Sequence, residues 1–130
     1  MAEVKLPYGL YGISDAAWGD PVDLARQLAT AGCRVIQLRA KDWTSGQVLH
    51  AARELVVPFR DQGVSLVIND HLSVAVELGV GVHLGQDDGD PAHARRLVSS
   101  TQLVGLSTHD LAQVECATDV DYIGFGPVFS

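Results

Sequence analysis

Four short stretches hold most of the side chains able to do chemistry in this 130-residue chain. In Gln37-Leu38-Arg39-Ala40-Lys41 polar and apolar residues alternate. On a strand, whose side chains point to opposite faces in turn, that spacing puts Gln37, Arg39 and Lys41 on one face. Two cations and an amide facing inward from a buried strand need an anionic partner, either a phosphorylated ligand or the acids of a structural ion-pair network. Ile68-Asn69-Asp70 and Gly85-Gln86-Asp87-Asp88 each set carboxylates just past an apolar run. Asp70 and Asp88 admit two readings: caps for helices starting near His71 and Pro91, or joint ligands of a Mg²⁺ ion. Mg²⁺ takes one or two carboxylates and completes its shell with phosphate oxygens and water.

Ser107-Thr108-His109 adds a hydroxyl suited to a phosphate oxygen, and an imidazole that either carries protons or pairs with backbone at a helix start. His83, inside an apolar run, reads as a satisfied core histidine, and His50, His71 and His93 read as surface residues. Gly124 and Gly126 leave room for close approach to the backbone, or for tight packing. There is no P-loop, dinucleotide fingerprint or Gly-x-Ser-x-Gly elbow.

The elements that must position these groups are legible from punctuation by Gly, Pro and Asp. Apolar runs at Leu10 to Ile13, Val35 to Leu38, Ser65 to Ile68, Gly81 to Leu84, Leu103 to Leu106 and Tyr122 to Phe125 read as six strands. Between them, Pro21 to Ala31 carries apolar residues at helical spacing, with Asp20 as N-cap, Pro21 at the first helical position and Gly32 as the stop. Ser45 to Gln62 repeats the pattern, with Pro58 expected to end or kink it. Shorter helices are expected at His71 to Leu78, at Pro91 to Val98 behind Asp90, and at Leu111 to Cys116 behind Asp110. Strand alternating with helix means βαβ units and a parallel sheet, wound open or closed into a barrel. In such folds ligands gather beyond the carboxyl ends of the strands, which is where every polar stretch above falls.

Composition excludes several functions. Nine Lys and Arg against 16 Asp and Glu give a net charge of −7, a poor match to nucleic-acid phosphates. No apolar run approaches the ~20 residues that span a bilayer. The first dozen residues lack a signal-peptide pattern, so a cytoplasmic location is expected. Cys33 and Cys116 are too few for a disulfide framework or a zinc site, and read as reduced core residues.

The segments Leu10-Tyr11-Gly12-Ile13-Ser14-Asp15, Gln37 to Asp42, Ile68-Asn69-Asp70, Gly81 to Asp88, Gly105 to His109 and Asp121 to Phe129 together resemble the thiamine-phosphate synthase family, in that family's order over essentially the whole chain. The resemblance implies a (β/α)₈ barrel with its site at the C-terminal face. Gln37, Arg39, Lys41 and Asn69 would hold the diphosphate of hydroxymethylpyrimidine diphosphate, with Arg39 and Lys41 catalytic. Asp70 and Asp88 would bind Mg²⁺, and Ser107 would contact the same substrate. The implied reaction joins that pyrimidine to a thiazole phosphate and releases pyrophosphate. A thiazole tautomerase sharing the barrel, or a noncatalytic barrel fragment binding a phosphorylated metabolite, are the alternatives. A (β/α)₈ barrel needs at least ~200 residues. Residues 1–130 are therefore expected to be a single barrel domain incomplete after its sixth strand, or one that self-associates to cover its sheet edges.

Overall fold

A computed structural model describes residues 6–128. Six strands form one sheet in the order β1-β2-β3-β4-β5-β6, every neighbouring pair parallel. They are β1 (Tyr11–Asp15), β2 (Val35–Arg39), β3 (Ser65–Asn69), β4 (Gly81–Leu84), β5 (Val104–Thr108) and β6 (Tyr122–Phe125). The helices between them are α1 (Pro21–Thr30), α2 (Ser45–Gln62), α3 (Leu72–Leu78), α4 (Pro91–Leu97) and α5 (Leu111–Cys116). An open doubly wound sheet reverses its strand order at a switch point. This sheet has no reversal, so of the two windings left open by the sequence it takes the barrel-like one.

The helix-facing side holds the main core. Ile36, Leu38, Leu66, Ile68, Val82, Leu84, Val104 and Leu106 pack against Val22 and Ala25 of α1, Val48, Leu55 and Phe59 of α2, Val74 of α3 and Ala94 of α4. Fully burying a side chain such as Leu55 or Phe59 contributes about 1.5–3 kcal/mol. Alternate strand residues point the other way, and Val35, Val67 and Leu103 form a second cluster there with Tyr11 and Tyr122. The rings of Tyr11 and Tyr122, on the first and sixth strands, lie 5.4 Å apart. A flat sheet would hold those strands five spacings, ~24 Å, from one another. The sheet is therefore curled into a half-barrel, and the second cluster is its interior.

Local signals work as expected at most helix ends. Asp20 accepts hydrogen bonds from the Val22 and Asp23 N–H groups, Asp90 from Ala92 and Asp110 from Gln113. Thr44 and Gln47 form a reciprocal capping box before α2, and Gly63 ends that helix at φ 71°. Pro58 does not end it: α2 runs through to Gln62. Leu55 and Phe59 anchor the helix on both sides of the proline, and the Glu54 carbonyl, deprived of its N–H partner, lies on an exposed stretch where water can satisfy it.

At the floor of the half-barrel, Asp121 Oδ2 binds Arg95 Nη2 at 2.5 Å and the Val104 N–H at 2.8 Å. Gln102 Nε2 reaches the carbonyls of Ala75 and Val80 at 3.2 and 2.8 Å. These contacts fix the strand ends remote from the polar rim.

Candidate functional site at the carboxyl rim of the half-barrel

Strand register decides which polar groups meet. Asp15 pairs with Arg39, Ile13 with Gln37, Gln37 with Val67, Asn69 with His83, His83 with Gly105, and Ser107 with Gly124. All of these face the interior. Gln37 and His83 thus stand in the body of the half-barrel, while Asp15, Arg39, Asn69 and Ser107 stand at its mouth.

Arg39 Nη1 donates to Asp15 Oδ2 in a half-buried ion pair. The Asp15 carboxyl is held below the usual range, first by the Ala17 N–H that it accepts at 2.9 Å and further by Arg39 and Lys41. The structure therefore supplies an acid partner for Arg39 that the alternation within β2 does not reveal, because it comes from the end of β1. Lys41 is past the end of β2, in an exposed turn closed by the Trp43 N–H and Ala40 carbonyl, so the strand alternation does not govern it. Among the described residues it makes no ion pair.

Neither Asp70 nor Asp88 caps a helix. α3 begins behind His71 without a side-chain cap, and α4 is capped by Asp90. Asp70 has φ 69°, a left-handed conformation that costs a non-glycine residue free energy, and its N–H donates to the His83 carbonyl at 2.9 Å. Asp88 folds back so that its Oδ2 accepts the Gly85 N–H at 2.8 Å. A Cβ on Gly85 would stand 2.6 Å from that oxygen, so a side chain there would displace the Asp88 carboxylate from this turn.

The Asp88 carboxylate lies near enough to Asp70 to disfavour its ionisation. Partial burial, and then the Asp88 carboxylate, push Asp70 up to about 6, against smaller opposing effects from His71 and Arg39. Two facing carboxylates that resist joint ionisation fit a divalent cation. The described residues hold no group of three or more His, Cys, Asp or Glu, so other ligands would come from phosphate or water.

Asn69 is nearly buried, and its amide makes no side-chain hydrogen bond among the described residues; it keeps access to the mouth. His83 is satisfied on both ring nitrogens, Nδ1 to the Tyr122 hydroxyl at 2.9 Å and Nε2 to Ser107 Oγ at 2.7 Å. Burial lowers its pKa, so it is neutral at pH 7. His109 takes the backbone role, one of its two options: Nδ1 lies 2.7 Å from the Gly126 carbonyl. His50 and His93 are exposed, and His71 is half-buried. Cys33 is buried and Cys116 exposed, both as free thiols.

The glycine that matters most is one that no local sequence signal singles out. A Cβ at Gly105 would fall 2.1 Å from Cζ of Tyr122, whose ring crosses β5 at this point. At Gly124 the nearest atom is 3.8 Å away, ordinary contact. Gly105→Ala is expected to lose about 1–3 kcal/mol of stability by overpacking, whereas Gly124→Ala is expected to melt within a few degrees of the parent. Thermal unfolding of both variants checks this, and equal melting temperatures would refute the assignment.

A half-barrel of parallel strands with cations, neighbouring carboxylates and hydroxyls at its carboxyl rim defines an α/β protein of the barrel class, with its polar groups where such folds place their sites. The sequence model described as thiamine monophosphate synthase matches residues 10–130, and the chain belongs to that family. Thiamine-phosphate synthase of Pelotomaculum thermopropionicum is 37% identical over 129 residues, covering 93% of this chain and 58% of the relative. That of Anaeromyxobacter dehalogenans is 41% identical over 125 residues, covering 94% and 55%. Among solved structures, thiamine phosphate pyrophosphorylase from Pyrococcus furiosus superposes with a TM-score of 0.82 at 25% identity, over 92% of this chain and 60% of that one. The chain thus spans roughly three-fifths of the length of proteins it matches. No helix among the described residues is long and apolar enough to cross a membrane.

Proposed function

We propose that this chain forms the pyrimidine-diphosphate side of a thiamine-phosphate synthase, within a cytoplasmic (β/α)₈ barrel of which it supplies the first six strands. The observation that carries the reading is the Asp70 and Asp88 pair facing Arg39 at the strand ends, in a chain of this family. The names of the relatives favour a synthase over a tautomerase. In a completed barrel a further βα unit would cover Ile123 and Phe125, which are 38% and 50% exposed on the outer face of β6.

In the proposed reaction the bond from the pyrimidine methylene carbon to the diphosphate oxygen breaks. A bond from that carbon to the thiazole nitrogen forms, and pyrophosphate leaves with the electron pair. Arg39 and Lys41 neutralise charge that develops on the departing diphosphate, and are the residues assigned a catalytic part. Asn69 and Ser107 donate hydrogen bonds that orient the substrate, and Gln37, one layer deeper, offers what its amide has left after bonding Tyr11 at 3.0 Å. Asp70 and Asp88 would hold Mg²⁺, which when bound neutralises diphosphate oxygens and so favours their departure.

Mixing the completed barrel, this chain together with the strands that close it, with hydroxymethylpyrimidine diphosphate, hydroxyethylthiazole phosphate and Mg²⁺ is expected to yield thiamine phosphate, resolved by chromatography. Binding of the pyrimidine diphosphate without any product would instead leave a phosphometabolite-binding barrel.

A further inference from the structure

Five side chains from five strands form one hydrogen-bonded chain through the interior. Gln37 Nε2 donates to the Tyr11 hydroxyl at 3.0 Å, and Tyr11 and Tyr122 share a hydrogen at 2.5 Å. Tyr122 then meets His83 Nδ1 at 2.9 Å, and His83 Nε2 meets Ser107 Oγ at 2.7 Å. Each link joins two polar atoms through one hydrogen, so each has one donor and one acceptor.

Only two directions are open, and Gln37 separates them because it presents its Nε2, and not its Oε1, to Tyr11. If the hydrogens ran inward from Ser107, the Tyr11 oxygen would accept from both Gln37 and Tyr122, and its own hydrogen would have no acceptor among the described residues. That leaves a half-buried donor without a protein partner, at a cost of about 1 kcal/mol. Running outward, Tyr11 accepts from Gln37 and donates to Tyr122, which donates to His83. The one unused hydrogen is then that of Ser107, at the half-exposed mouth.

We propose that Tyr122, aimed by Gln37 and Tyr11, is a positioning residue. By donating to His83 Nδ1 it keeps the imidazole proton on Nε2, which occupies the Ser107 oxygen and leaves the Ser107 hydroxyl hydrogen for an acceptor atom of the substrate. Gly105 permits the arrangement, because any side chain there would displace the Tyr122 ring. Only the identity of that acceptor rests on the pyrimidine-diphosphate reading; the direction of the chain does not.

The test is ¹⁵N–¹H correlation spectroscopy of the histidine rings without substrate, with His83 assigned by loss of its signals in His83→Gln. The expected result is an imine-type Nδ1 and a protonated, pyrrole-type Nε2. The reverse pattern, an averaged pair, or protonation of both nitrogens at pH 7 would each overturn the proposal. Tyr122→Phe keeps the ring over Gly105 and removes the donor, so the His83 shifts are expected to move toward the average of the two tautomers. A Tyr122→Phe protein that folds and leaves His83 purely Nε2-protonated would also sink it. A synthase that makes thiamine phosphate but shows the Nδ1-protonated form refutes the positioning role alone. The expected tautomer in a protein that makes no product refutes the reaction alone.

Discussion

Arg39→Ala is expected to lower turnover by about 10²–10³-fold, the cost of removing one group aimed at developing negative charge. Two features of the rim make the effect large. Arg39 is the residue of β2 whose charge acts on both carboxylate systems, lowering Asp15 through an ion pair and offsetting part of the upward push on Asp70. Its partner Asp15 is itself tied to the Ala17 N–H, so the guanidinium is held at the mouth before any ligand arrives. Preorganisation of this kind is worth more than the same charge on a mobile side chain, because no ordering is needed at the moment of reaction.

Lys41, exposed in the next turn, lacks that brace, and Lys41→Ala is expected to raise KM for the pyrimidine diphosphate more than it lowers kcat. Leu38→Met is the control. Leu38 points to the opposite face, into the helix-side core at 1% exposure, and a volume-conserving exchange there costs less than about 1.5 kcal/mol. Steady-state assays of thiamine phosphate formation compare the three. Equal kcat for Arg39→Ala and Leu38→Met would remove the guanidinium from the mechanism.

Much of this arrangement is legible in the amino-acid sequence, and the exceptions have physical reasons. Apolar runs locate all six strands, yet β1, β2, β3 and β5 extend one or two residues beyond the runs, to Asp15, Arg39, Asn69 and Thr108. The backbone ladder does not stop where hydrophobicity stops. At a barrel mouth the last residues still pair, while their side chains turn polar because they face the ligand or a neighbouring polar group. Capping preference suits Asp20, Asp90 and Asp110, and offers the same option to Asp70 and Asp88, where the structure uses the carboxylates otherwise. Nothing in local spacing separates the two uses, since both place an acid just before a helix.

The Asp15 and Arg39 pair, and the contact of Tyr11 with Tyr122 across 111 residues, depend on register and curl, which no window along the chain contains. Gly105 carries no local signal for the same reason: its need for glycine comes from a ring on the next strand. Strand and helix alternation points to a parallel sheet, but only the unreversed strand order distinguishes the half-barrel from an open doubly wound sheet.

The second large effect belongs to the paired acids. Without divalent cations, folding stability is expected to fall as pH rises from about 4 to about 6, the window between the carboxyl's ordinary value and its raised one in the folded protein. The sign follows from proton counting: with Asp70 raised, the folded state holds more protons than the unfolded chain across that window, so removing them favours unfolding, and the loss persists above pH 6. Its size is on the order of 1–2 kcal/mol once solvent screening of this half-buried group is allowed for.

Asp70→Asn should abolish the slope, and asparagine tolerates the left-handed backbone at this position, so the substitution adds little strain. Asp88→Asn should only reduce it, because burial is the larger cause and remains. Mg²⁺ at 100 times its dissociation constant should add about 2.7 kcal/mol to the parent and little to either variant. Calorimetric titration should then show pyrimidine-diphosphate binding that weakens at least tenfold in EDTA for the parent and is insensitive to EDTA for Asp70→Asn. Equal affinity of the parent with and without EDTA, or Mg²⁺ raising the melting temperature of Asp70→Asn as much as that of the parent, would mean that these two carboxylates face each other for a reason other than metal.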